Sequence, residues 1–116
     1  NDFYIRQTLE PFIRDLLQPD VTLDVVCDGP NLVKRMQEGV YSLAITDGSM
    51  PSMNGPEAIA KIRSFDKETP IYLLTSNRYS PKEVERMGAN GLVDKAKFED
   101  VPQELTRILK AHSLAR

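Results

Sequence analysis

Tryptophan is absent from these 116 residues, and cysteine and histidine occur once each. A single cysteine, Cys27, cannot close an internal disulfide; set in the apolar run "VTLDVVC", it reads as a small buried hydrophobe rather than a reactive thiol. The single histidine, His112, falls near the end of the last predicted helix, where a cation suits the helix dipole, and a surface position is expected for it. No apolar run approaches the ~20 residues that span a bilayer. No secretory leader pattern opens the chain, so a cytoplasmic location is expected, with no membrane partner. The formal charge is only -2, and the 15 basic residues are scattered. A phosphate backbone requires a basic patch, so direct binding of nucleic acid is not expected. Repeats, low-complexity tracts and linkers are missing as well, which leaves one domain over residues 1–116.

What the chain does contain is an alternation of short apolar runs with amphipathic segments. Ile5, Leu9, Phe12, Ile13, Leu16 and Leu17 recur at helical spacing, predicting a helix over about Phe3–Leu17. Pro11 inside it implies either a kink or a start near Thr8 with Pro11 in the first turn. Val21–Cys27 is rich in β-branched residues and predicts a strand; "DGPN" then turns the chain. A short helix around Leu32, Val33 and Met36 is closed by Gly39, and "YSLAIT" predicts the next strand. Pro56 and Glu57 open a helix that faces Ile59 and Ile62 inward. "PIYLLT" is a strand, and "SPKE" from Ser80 to Glu83 has the form of a capping box for a helix that Gly88 ends. "GLVD" is a last short strand, followed by a helix carrying Leu105, Ile108 and Leu109. Such alternation predicts a parallel sheet covered on both faces, with ligands at the carboxyl ends of its strands.

Asp47, Thr75 and Lys95 each stand at or just past such an end. Singly they could be a turn cap, an ordinary strand end and a solvated lysine. Together they bring an acid, a hydroxyl and an amine to one edge. A carboxylate there can act as a nucleophile toward a phosphoryl group, with the amine, the hydroxyl and Mg²⁺ meeting the negative charge.

The stretch "ITDGSMPSMNG" resembles the phosphoacceptor motif of response-regulator receiver domains. "LLTSN" resembles the family's fourth-strand hydroxyl motif, and "GANGLVDK" its turn, fifth strand and lysine. The resemblance covers essentially the whole chain in order. It implies a flavodoxin-like doubly wound parallel sheet, the (βα)5 pattern here missing its first strand. It also implies a phosphoacceptor signalling domain rather than an independent enzyme. Asp47 would take the phosphoryl group from a histidine kinase or phosphotransfer protein, Thr75 and Lys95 would hold the phosphoryl oxygens, and Mg²⁺ would lie on Asp47 and the Ser49 backbone carbonyl. Conformational switching would then control an output domain or downstream protein. The lone His112 is no obvious phosphodonor, so the kinase is expected elsewhere. Aspartyl phosphatases of the haloacid dehalogenase type carry a second acid where Ser49 stands, which argues against that chemistry; no phosphate loop near Asn1 supports a flavin-binding flavodoxin.

Four departures from the family are visible. Leu92 replaces an aromatic residue on the fifth strand, Ala96 replaces the proline after the lysine, and the Thr75–Gly88 segment is short. The family's first strand, which ends in an acidic Mg²⁺-binding pair, has no counterpart ahead of the first helix. Asn1 or Asp2 falls on the second acidic position according to register, so Asp2 is the acid available to help hold the metal. This favours, as an alternative, a pseudo-receiver that only binds partners. A sheet without its central strand also predicts either that the strand lies on residues outside these 116 or an altered arrangement, with two copies pairing into a homodimer.

Overall fold

The computed structural model describes residues 9–116. In chain order its elements are α1 (Glu10–Leu16), α2 (Gly29–Glu38), β1 (Ala44–Asp47), α3 (Gly55–Arg63), β2 (Ile71–Thr75), α4 (Pro81–Met87), β3 (Gly91–Asp94) and α5 (Val101–Ala111). They fall into two compact units, one running to Val25 and resuming at Lys97, the other covering Val26–Ala96.

The first unit holds α1 and α5. Pro11 lies in the first turn of α1 as described, where its missing N–H costs no helical hydrogen bond. The expected stretch from Phe3 to Thr8 lies outside the described residues. α5 buries Val101, Leu105, Ile108 and Leu109, a stripe at 3.6-residue spacing, as the sequence predicts. The ends of the two helices are tied by backbone. Leu17 and Ala115 form an antiparallel bridge, the Gln18 N–H donates to the Leu114 carbonyl at 2.9 Å, and Arg116 N–H to that of Leu16 at 2.8 Å.

The second unit is built on a parallel sheet in the order β1-β2-β3. Asp47 is level with Leu74, and Thr75 with Asp94. β2, in the middle, buries Ile71, Leu73, Leu74 and Thr75, the near-continuous burial expected of a parallel strand. Met36 of α2, Ile59 and Ile62 of α3, and Ala44, Ile71 and Leu73 of the sheet form one apolar core. Each helix of this unit starts on a side-chain cap. The Asp28 carboxylate accepts from Asn31 N–H, while Asn54 with Glu57, and Ser80 with Glu83, form reciprocal capping boxes. Gly88 closes α4 at φ 92°, a left-handed conformation that glycine adopts without Cβ strain.

Val21–Cys27 does not form the expected strand. Burial alternates along Val21–Val25 as a strand pattern requires, but the segment makes no ladder. A β-branched run becomes a strand only where a neighbouring chain completes its hydrogen bonds, and among the described residues no segment does so. The sheet therefore starts, among those residues, at β1. Cys27 is partly rather than fully buried, since the run that was to enclose it stays outside the sheet.

Candidate functional site

Parallel strands end on the same side, so β1, β2 and β3 deliver their carboxyl-terminal residues to one edge. Asp47 closes β1 with 7% of its surface exposed. Lys95 follows β3, and its Nζ lies 2.9 Å from Asp47 Oδ1 and 3.1 Å from Oδ2, so that one ammonium spans both carboxylate oxygens. The Ser49 N–H donates to the same Oδ1 at 3.1 Å. Burial pushes the Asp47 carboxyl up, but the hydrogen bonds from Lys95 and from the Ser49 N–H outweigh it, and the group is held below its ordinary 3.8. Asp47 is thus a buried, ionised carboxylate at neutral pH, which answers the desolvation cost of an acid at the end of a core strand.

The loop after Asp47 folds back closely on the strand end. Gly48 N–H extends the ladder to the Leu74 carbonyl at 2.9 Å, and Gly55 N–H returns to the Gly48 carbonyl at 3.0 Å. A Cβ on Gly48 would lie 2.7 Å from Thr75 Oγ1, and one on Gly55 would lie 2.5 Å from the Asp47 carbonyl oxygen. Both positions therefore require glycine for close approach rather than for dihedral freedom. Thr75 is buried at the end of β2, and its Oγ1 accepts from Asn77 N–H at 3.1 Å.

Of the residues expected at the site, Asp47, Lys95 and Ser49 are brought into direct contact, and Thr75 stands on the adjacent strand end. Asp2 lies outside the described residues. Two contacts were not anticipated. Buried Thr46 Oγ1 lies 3.7 Å from the Met50 sulfur, which docks the methionine of the Met-Pro turn beneath the loop. Asp94 Oδ1 accepts from Ala96 N–H at 2.8 Å, across the residue that carries the amine. The Asx-type spacing Asp-x-Ala was in principle readable as a turn signal.

The donor chemistry suits Mg²⁺ in kind, since it consists of a carboxylate and a loop carbonyl, and Mg²⁺ commonly takes one or two carboxylates with water and phosphate oxygens. Among the described residues, no three His, Cys, Asp or Glu side chains cluster as a metal site.

Comparison with known proteins follows the same lines. The family model described as "Response regulator receiver domain" matches residues 1–109. The chain is 31% identical over 99 residues to transcription factor SKN7 of Candida albicans, covering 85% of this chain and 18% of that protein. It is 30% identical over 94 residues to the two-component response regulator PhoP of Pseudomonas aeruginosa, covering 78% of this chain and 42% of that protein. The chain thus spans less than half the length of either relative. Among solved structures, the receiver domain of a sensor histidine kinase from Pseudomonas aeruginosa, with a magnesium ion coordinated in its active site cleft, superposes with a TM-score of 0.78 at 24% identity, covering 96% of this chain and 88% of that one. The response regulator TrrA of Thermotoga maritima, in complex with Mg²⁺ and beryllium fluoride, gives a TM-score of 0.74 at 27% identity, covering 93% and 89%.

Proposed function

Since the chain belongs to the response regulator receiver domain family, a family of two-component signalling, we propose that Asp47 is its phosphoacceptor and that both compact units are parts of one receiver domain. The observation that carries the reading is the Lys95 ammonium spanning both oxygens of a buried carboxylate at the carboxyl edge of a parallel sheet. An Asp47 oxygen attacks phosphorus, a new P–O bond forms, and the bond to the donor breaks. With a phosphohistidine donor the leaving imidazole takes up a proton; with acetyl phosphate the leaving group is acetate. Lys95 then exchanges a carboxylate oxygen for a phosphoryl oxygen, and the Thr75 hydroxyl, which accepts from Asn77 N–H, donates its own proton to another. Mg²⁺, held by Asp47, the Ser49 carbonyl and Asp2, would neutralise charge on the transferred group. The donor is a histidine kinase or phosphotransfer protein in the cytoplasm, and the response is read by an output domain or downstream protein. In this reading the chain is a signalling acceptor, active only in its own phosphorylation and dephosphorylation.

The test is intact mass after acetyl phosphate treatment with Mg²⁺. One phosphoryl group is expected on the wild-type chain and none on Asp47→Asn; equal modification of the two would reject the assignment. A pseudo-receiver is favoured by one observation, the lack of any cluster of three His, Cys, Asp or Glu side chains among the described residues. Mg²⁺-dependent binding of beryllium fluoride separates the two readings: saturable binding supports the acceptor, and none supports the pseudo-receiver. Pairing of two copies along β1, an outer strand of the described sheet, is proposed as a homodimer. It requires a mass-action rise in sedimentation coefficient with concentration.

A further inference from the structure

We propose that Asp94 is a positioning residue that aims the Lys95 amine at Asp47, a role that rests on the reading of Lys95 as the cation of the phosphoryl site. Lysine carries a point charge on a flexible four-carbon stem, so where its Cα–Cβ bond points decides whether the amine can reach a given target. On the amino-terminal side of Lys95, the backbone is fixed by the ladder, with Asp94 level with Thr75. On the carboxyl-terminal side, it is fixed by the Asp94 side chain itself, whose Oδ1 accepts the Ala96 N–H at 2.8 Å and closes a tight turn at the start of the 3-10 segment Lys95–Lys97. Lys95 is the residue enclosed. Its amine arrives 2.9 and 3.1 Å from the two Asp47 oxygens, with 17% of the side chain exposed.

The lock depends on an N–H at position 96. Proline has none, and proline is what the receiver resemblance leads one to expect after the lysine. In this chain alanine supplies the donor and the preceding aspartate supplies the acceptor. The departure at position 96 thus takes part in one hydrogen bond with the aspartate before the lysine, and that bond directs the lysine.

The experiment compares wild type, Asp94→Ala and Asp94→Asn by limited reductive methylation with formaldehyde and cyanoborohydride, quantified for Lys95 by peptide mass spectrometry. Exposed Lys82 serves as the internal standard. Loss of a side-chain cap of this type corresponds to about a fivefold change in an equilibrium. Asp94→Ala is therefore expected to raise Lys95 methylation about fivefold relative to Lys82, and Asp94→Asn, which keeps the acceptor oxygen, to restore the wild-type rate. A turn that merely stabilised the fold would shift the thermal midpoint without this selective and rescuable change. Identical Lys95 reactivity in all three proteins overturns the inference. In the second arm, the rate of Asp47 modification by acetyl phosphate should fall about fivefold in Asp94→Ala and recover in Asp94→Asn. A Lys95 effect in the first arm with no modification of wild type in the second removes the phosphoacceptor reading while upholding the aiming of Lys95 by Asp94.

Discussion

The two ends of the sheet are held in opposite ways. At the amino edge, the Arg63 guanidinium donates to the Gly88 carbonyl at 2.8 Å, to the Asp66 carbonyl at 3.0 Å and to Asn90 Oδ1 at 3.1 Å. Asn90 Oδ1 also accepts from Ile71 N–H at 2.9 Å, and Asn90 N–H donates to the Ile71 carbonyl at 2.7 Å. Every acceptor there is a neutral oxygen, most of them in the backbone. At the carboxyl edge, the central contact is between a carboxylate and an ammonium on side chains. An amide oxygen cannot be replaced without moving the chain. A carboxylate can be replaced, as partner of an ammonium, by any other anion that arrives. The same fold therefore has a fixed end and an exchangeable end, and chemistry is expected only at the second.

The largest effect that would test this contrast is at the fixed end. Arg63→Ala leaves three carbonyl-type acceptors without their charged donor, and a loss of about 2 kcal/mol is expected. It should appear as a fall of several degrees in the thermal midpoint, with modification of Asp47 by acetyl phosphate unchanged. Loss of modification in a folded Arg63→Ala protein would break the contrast.

Gly48→Ala is expected to cost about 1–2 kcal/mol, because its Cβ has no room beside the Thr75 side chain and the well-packed surroundings must shift. Unlike Arg63→Ala, it should also weaken beryllium fluoride binding, measured by titration, since the displaced group is the site's hydroxyl.

The pH dependence gives a smaller effect. The folded carboxyl of Asp47 is depressed below 3.8 despite its burial, through Lys95 and Ser49. Its contribution to stability is therefore present above the unfolded value and is lost as the pH falls through the folded one. Denaturant midpoints measured from pH 7 down to pH 2 should show a shallower acid limb in Asp47→Asn than in wild type. In Lys95→Ala the carboxyl is expected to titrate at higher pH, followed by carboxyl ¹³C shifts. The smallest change is expected from Arg107→Ala, which removes an exposed pair with Glu104 distant in sequence from both clusters. A surface pair of this kind contributes about 0–1 kcal/mol.

The exchangeable end was largely legible in the sequence, and the fixed end was not. Asp47, Thr75 and Lys95 were found because strand periodicity locates strand ends, and parallel connection brings those ends together. The cap at Ser80 was legible because donor and acceptor lie three residues apart, whereas the like cap at Asn54 was passed over in favour of Pro56 and Glu57. Arg63 meets Gly88 and Asn90 across 25 and 27 residues, through side-chain contacts with no local signature. Val21–Cys27 failed as a strand for a related reason. Its alternation is written in the sequence, but a strand is a property of two chains side by side. Asp94 was read only as the end of a strand; its bond to Ala96 becomes evident once the turn is seen.

The glycine at the start of α3 has a mechanical consequence. Its backbone lies so close to the Asp47 carbonyl that a methyl group would stand 2.5 Å from that oxygen, and its N–H is bonded to Gly48. Helix start and strand end are packed with no room for a side chain between them, so a displacement of the Asp47 backbone is expected to carry the start of α3 with it. α4 buries none of its residues. With one flank of Asp47 close-packed and α4 burying none of its residues, a group attached at Asp47 in the proposed acceptor role is expected to find more room to shift on the Thr75 side of the sheet.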